Sequence, residues 1–140
     1  MKAIWALTLV LELVVAGAAG QVSSSGTAVP VRGNWEGESK CTVADSPCHD
    51  ERVVYEIKTD AHTAGKLLMD AYKIVAGAKQ FMGTLDCRYR AEESTLSCVG
   101  RRPDDLWVFA VSGDQMKGTL TIGADKQLYR RIEVKRTKGQ

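Results

Sequence analysis

Beyond residue 32 most of the chain alternates between apolar and polar positions with a period of two. Such a series has one apolar side and one polar side, which is typical of antiparallel strands whose sheet is wet on one face. The clearest apolar series are Val53, Tyr55 and Ile57; Phe81, Gly83, Leu85, Cys87 and Tyr89; and Leu128, Arg130, Ile132 and Val134.

The alternation and the turns between its segments predict an all-β protein with eight strands. The connections are short, so successive strands pair with their neighbours as an antiparallel up-and-down meander. Eight strands with a single apolar face close most economically into a small barrel, because closure removes exposed edges. The predicted strands are 33–41, 50–58, 66–76, 80–90, 95–100, 105–112, 115–122 and 127–136.

One segment has a second interpretation. Between 61 and 79, apolar residues recur at spacings of three and four, which is the pattern of an amphipathic helix. Gly65 and Gly77 interrupt both ends, however, and Val75 to Lys79 resembles a hairpin tip. We therefore predict a strand at 66–76, with an α+β fold carrying a helix at about 61–79 as the alternative.

Two turns also predict which residues lie opposite one another. Gly113-Asp114 lies between two apolar runs, which favours a two-residue hairpin, and a second turn spans 123–126. Counting outward from these turns gives five expected pairs: Val111 with Met116, Phe109 with Gly118, Trp107 with Leu120, Leu120 with Arg130, and Gly118 with Ile132.

The N-terminus has the order of a secretory signal. Met1-Lys2 is followed by an apolar run and then by small residues at 17–20. A retained membrane anchor is the alternative, but it needs about 20 apolar residues, and Glu12 interrupts this run. We expect a signal peptide at 1–20, an extended lead-in at 21–32 and one barrel domain at 33–137. The protein would be secreted or periplasmic, with no membrane association after cleavage.

Export exposes the four cysteines to an oxidising environment, which favours disulfides. Cys41 and Cys48 flank one short loop, and Cys87 and Cys98 flank a second, so we predict the bridges Cys41–Cys48 and Cys87–Cys98 among three possible connectivities. A metal site in the segment 48–51 (Cys-His-Asp-Glu) is the alternative. Adjacent residues on an extended chain point to opposite sides, so we predict no metal.

Gly33-Asn34-Trp35 at the first strand, with Arg130 on the last, resembles the calycin group of lipocalins, fatty-acid-binding proteins and avidin-like barrels. The resemblance covers the mature chain in strand number but only these few residues in identity. It implies that Trp35 lies across the closed end of a barrel beneath a late arginine, for which Arg130 is the better match. It also implies that the first and last strands are neighbours.

Composition and charge argue against several functions. The chain has 140 residues, 19 Lys and Arg against 17 Asp and Glu, and a net charge of +2, which gives no reason to expect nucleic acid as a partner. The two histidines, His49 and His62, have no neighbouring serine in a nucleophile motif, and no glycine-rich phosphate loop is present. We predict neither an enzyme nor a cofactor.

The remaining function is binding, and two kinds are open. A hollow barrel would hold a small apolar ligand, with an inward arginine to orient a polar group. The alternative is a protein-binding module, such as a secreted hydrolase inhibitor, with an extracellular protein as its partner. A solid barrel with one protruding loop would favour this second function. The expected ligand-binding side chains are Tyr55, Tyr89, Trp107, Phe109, Met116 and Arg130.

Overall fold

The protein is an eight-stranded antiparallel barrel in which every strand pairs with its neighbours in sequence and β8 closes on β1. The computed structural model describes residues 29–138. The fold is all-β, as the alternation predicts. The strands are β1 (Gly33–Cys41), β2 (Glu51–Thr59), β3 (Leu67–Val75), β4 (Ala78–Arg90), β5 (Thr95–Val99), β6 (Leu106–Ser112), β7 (Gln115–Ile122) and β8 (Gln127–Arg136).

The ambiguous segment is a strand. β3 ends at Val75 and β4 begins at Ala78, with a two-residue turn between them. Ala76 and Gly77 have φ angles of 50° and 81°, which suits the left-handed turns that join twisted antiparallel strands. The helical alternative over 61–79 is therefore wrong, because its apolar residues serve two faces of a sheet rather than one stripe of a helix.

The pairings expected from the turns are confirmed. Val111, Phe109 and Trp107 lie opposite Met116, Gly118 and Leu120 across the β6–β7 hairpin. Leu120 and Gly118 lie opposite Arg130 and Ile132 on β8. The two-residue turn fixes the β6–β7 register, so those pairings could be counted from the sequence. On β8 the pairs beside the turn are Ile122 with Gln127 and Thr121 with Leu128, and a bulge at Tyr129 then brings Arg130 opposite Leu120.

The arginine above Trp35 is Arg136 and not Arg130, so this part of the expectation is wrong. Strands β1 and β8 are neighbours, but their register places Trp35 opposite Arg136 and Cys41 opposite Arg130. The guanidinium carbon of Arg136 lies 4.3 Å from the centre of the Trp35 ring, and Trp35 Nε1 donates to the Val31 carbonyl at 2.9 Å. No turn joins β1 to β8, so no local signal sets their register.

A bulge in β4 also departs from the expected alternation. Gly83 lies opposite Ala71 and Phe81 opposite Tyr72, so Met82 is an extra residue on its strand. A one-residue shift moves a side chain to the other face of a sheet. Phe81, expected on the inner side with Leu85, is 58% exposed.

Both predicted disulfides are present. Cys41–Cys48 closes the loop after β1, and Cys87–Cys98 joins directly opposite residues of β4 and β5. The two bridges differ in exposure, because Cys87 and Cys98 are each 1% exposed whereas Cys41 and Cys48 are only half-buried. They are consistent with an oxidising extracellular environment.

This difference predicts selective reduction. We expect a mild thiol reductant under native conditions to open Cys41–Cys48 first, because thiolate attack requires access to a sulfur atom. Alkylation followed by peptide mapping should label Cys41 and Cys48 while Cys87 and Cys98 stay linked until the chain unfolds. Equal labelling of both pairs in folded protein would contradict the buried position of the second bridge.

Among residues 29–138, no helix is long and apolar enough to cross a membrane. The expected signal peptide at 1–20 and residues 21–28 of the expected lead-in lie outside the described residues.

Candidate functional site

The side chains expected to bind a ligand occupy different depths of the barrel. Tyr55, Phe109 and Met116 are buried, with exposed fractions of 3% or less. Tyr89 and Trp107 are half-buried and pack against the same core. Arg130 points inward at the end of the barrel that carries the Cys41–Cys48 loop. Their role in binding stays a prediction.

The middle of the barrel is packed. Strands β2 and β6 stand on opposite sides of the barrel, yet the Tyr55 and Phe109 rings meet edge to face with centroids 5.9 Å apart. A side chain without accessible surface borders no space large enough for a water molecule. The side chains with 0% exposure are Val31, Trp35, Met69, Leu96, Phe109 and Met116.

The Arg130 guanidinium bonds to other groups of the protein. Its Nη1 donates to Ser39 Oγ at 3.3 Å and to the His49 carbonyl at 3.1 Å, and it lies 3.6 Å from Glu51 Oε2. The Arg130 side chain is 13% exposed. These contacts connect β8, β1 and the disulfide loop, so Arg130 ties the loop to the end of the barrel.

Tyr55 lies within the field of Arg130 and Glu51, but burial has the larger effect and raises the pKa of its hydroxyl well above the usual 10. The neutral form is therefore favoured in the folded state.

Unfolded chains ionise Tyr55 above about pH 10, so folding stability should fall as the pH rises through that value. Spectrophotometric titration should find one tyrosine that does not ionise while the protein stays folded. Tyr55→Phe should weaken the alkaline loss of stability, and an unchanged pH profile would contradict this prediction.

Two concavities on the described residues lie away from the packed centre. One, of about 650 Å³, follows the outside of the β1–β8 seam and is lined by both acidic and basic side chains, among them Glu36, Lys40 and Arg131. The other, of about 520 Å³, lies beside Pro30 and Arg136, where the chain enters β1. Neither is lined by Tyr55 or Phe109.

The longest strand projects beyond the barrel wall. Pairing of β3 with β2 ends at Lys73, and pairing of β4 with β5 begins only at Asp86. Residues 74–83 therefore pair with neither β2 nor β5, and we call them the β3–β4 ribbon. Residues 74–79 form its two-stranded tip, and residues 80–83 pair with β3 alone. Tyr72 and Phe81 pack together at its base, with ring centroids 5.5 Å apart, and Lys79 Nζ lies 4.8 Å above the Tyr72 ring.

The ribbon carries most of the large apolar side chains that face water. Four such side chains are exposed in the described part of the chain: Val75 at 48%, Phe81 at 58%, Met82 at 45% and Val99 at 38%. The first three belong to the β3–β4 ribbon, and Val99 is the last residue of β5, where β5 stops beside β4. Phe81, Met82 and Val99 form the candidate site, whereas Val75 lies three residues from Tyr72 and faces the opposite side of the ribbon.

None of these residues is among the side chains expected to bind a ligand, although the sequence contains a signal for them. Phe81 and Met82 are consecutive large apolar residues on a strand that otherwise alternates. Consecutive side chains of a regular strand point to opposite faces, so one of the two must either leave the core or mark a bulge. The structure has both.

Potential metal ligands are dispersed among the described residues. They contain no group of three or more His, Cys, Asp or Glu side chains that is suited to a metal ion. His49 and His62 are exposed, and their hydrogen bonds within residues 29–138 involve backbone atoms rather than their rings.

No protein-family model matches the chain, and no curated protein matches it.

Proposed function

We propose that this protein is an exported, non-enzymatic binding module that engages a protein partner through the β3–β4 ribbon. One observation carries the proposal. Phe81 and Met82 are adjacent large apolar side chains, both exposed, on a segment of β4 that has no partner on the β5 side, and the exposed Val75 lies near the tip on the opposite face. Neighbouring apolar side chains that face water, as Phe81 and Met82 do, mark interaction sites, because their exposure to water is unfavourable.

The packing of the barrel supports a macromolecular partner rather than a ligand held inside. Tyr55 and Phe109 meet across the centre, and Arg130, the side chain expected to orient a ligand, bonds to Ser39 and the loop. A ligand would have to displace these contacts. A partner at the ribbon would displace only water from Phe81 and Met82.

The calycin resemblance supports the same module. A closed eight-stranded antiparallel barrel is compatible with a calycin-like fold. The resemblance also expects a first-strand tryptophan beneath a late arginine, and Trp35 beneath Arg136 has that arrangement. In this proposal the barrel is a rigid, disulfide-linked support that holds the ribbon in one orientation.

Site-specific photocrosslinking in the source organism tests the proposal. A photoreactive residue at position 81 should give a discrete adduct, while one at exposed Ala110, on β6, should not. The partner identified from the adduct, once purified, should bind the wild-type chain at least about tenfold more tightly than it binds the Phe81→Ser variant.

Two results would overturn the proposal. One is an absence of adducts from positions 75, 81 and 82, or equal adducts from position 110. The other is native mass spectrometry of the exported protein that finds a small apolar molecule bound to the intact barrel, which would favour the interior-ligand function instead.

A further inference from the structure

The thirteen-residue strand β4 faces a partner strand, β5, of only five residues. Pairing between them runs from Arg90 opposite Thr95 to Asp86 opposite Val99, and it stops there. Gly100 still lies against Leu85, since a Cβ built on it would lie 3.2 Å from a Leu85 methyl group. The chain then turns away, so the edge of β4 over residues 79–85 has no neighbouring strand.

This vacant edge carries unpaired backbone groups. Residues 78–85 make no backbone hydrogen bonds to any described strand other than β3. Most residues of the stretch are exposed, and Leu85 alone is buried. Unpaired amide and carbonyl groups along a strand edge are a template for another strand, and a stretch from 79 to 85 spans about 20 Å.

We propose that the partner adds an extended segment to this edge, in the position that β5 would occupy if it continued beyond Val99. This inference rests on the proposed function, for which it specifies the shape and chemistry of the partner. Strand addition combines main-chain hydrogen bonds with side-chain contacts at alternate positions. Here Phe81, Met82 and Val99 supply the apolar contacts.

The charges beside the edge define the rest of the partner. Arg101 follows the glycine that ends the β5 line, and it has no ion pair within the described residues, whereas the neighbouring Arg102 pairs with Asp105 at 2.8 Å. At the other end Lys79 is paired with Glu56. The charges beside the edge without an ion pair among the described residues are therefore positive: Arg101 at the β5 end, and Lys73 on β3 opposite Gln80. The segment that fits has alternating apolar side chains and an acidic side chain at the end that meets Arg101.

A second copy of this chain fits the edge less well. Bulges and edge lysines are features by which sheet proteins avoid pairing with identical edges, and this edge has both, at Met82 and Lys79. Two rigid ribbons with the same bend cannot pair along the full length of this edge. A flexible segment can follow the bend.

A displayed library of random short peptides, selected on the immobilised full chain, provides the probe. The expected consensus alternates apolar residues and ends in an acidic residue. A selected peptide should bind about tenfold more weakly to Arg101→Glu, because the charge complement is reversed. Arg131→Glu is the matched control: Arg131 is an exposed arginine on β8, and its reversal should leave the affinity unchanged.

Backbone methylation of the selected peptide tests strand addition itself. Methylating one alternate set of amides should abolish binding, because those amides donate to β4, while methylating the other set should be tolerated. Equal effects of the two sets would overturn strand addition, as would enrichment of the same peptides on Phe81→Ser or no enrichment at all. These outcomes would reject strand addition without rejecting the proposed function. The crosslinking experiment tests that function separately, because it detects a partner of any shape at position 81.

Discussion

Replacing Trp35 with alanine is expected to lower the free energy of unfolding by about 3–5 kcal/mol, the cost of deleting a fully buried large aromatic side chain. Trp35 has no exposed surface, and its indole nitrogen donates to the Val31 carbonyl. Val31 is itself fully buried, so the segment that precedes β1 loses this hydrogen bond in the same variant and keeps those that Arg136 donates to the Pro30 and Arg32 carbonyls. Denaturant unfolding with both disulfides intact measures the loss.

A double-mutant cycle separates the cation–π contact from the cavity. Trp35→Phe and Arg136→Met each keep apolar bulk while weakening the attraction between guanidinium and indole. Their effects should fail to add by about 0.5–2 kcal/mol, because Arg136 lies directly over the ring.

The same cycle with Arg130→Met is the matched control. It should be additive within about 0.5 kcal/mol, since Arg130 lies six residues earlier on the strand, opposite Cys41. Coupling of Trp35 to Arg130 instead would mean that β1 and β8 pair in a different register.

Replacing Gly37 with alanine is expected to destabilise the protein by about 3 kcal/mol or more, at the upper end of overpacking costs. A Cβ at this position would lie 2.0 Å from the Glu133 carbonyl oxygen and 2.8 Å from Val134 Cα. Both atoms belong to the backbone of β8, so no side-chain rotation relieves the clash. The seam between β1 and β8 must widen, and amide hydrogen exchange should increase first in these two strands.

Gly77→Ala is the control for Gly37→Ala. Gly77 has a φ of 81°, so alanine is strained there, but its Cβ would meet nothing within 4 Å. Strain alone costs about 1–2 kcal/mol. Equal losses for the two variants, or an exchange increase that is not confined to the seam, would show that β1 does not approach β8 so closely.

The sequence alone determined the features that depend on local pattern. Period-two alternation and the turns between strands indicated all eight strands and their antiparallel meander, and the two-residue β6–β7 turn determined the pairing of Phe109 with Gly118 and of Trp107 with Leu120. The sequence also indicated both disulfides, because the cysteines of each pair lie on either side of one turn. In each case the interacting residues are close in the chain, so few arrangements compete.

Only the tertiary structure decided the closure of the barrel and the candidate site. The register of β1 against β8 joins residues about a hundred positions apart with no turn between them, so the choice of Arg136 over Arg130 followed from the closed barrel as a whole. The bulge at Met82 turned Phe81 outward, and the early end of β5 left the edge of β4 vacant. Alternation indicates that a residue belongs to a strand. Whether that strand has a neighbour, and which face turns to water, depends on every other strand in the sheet.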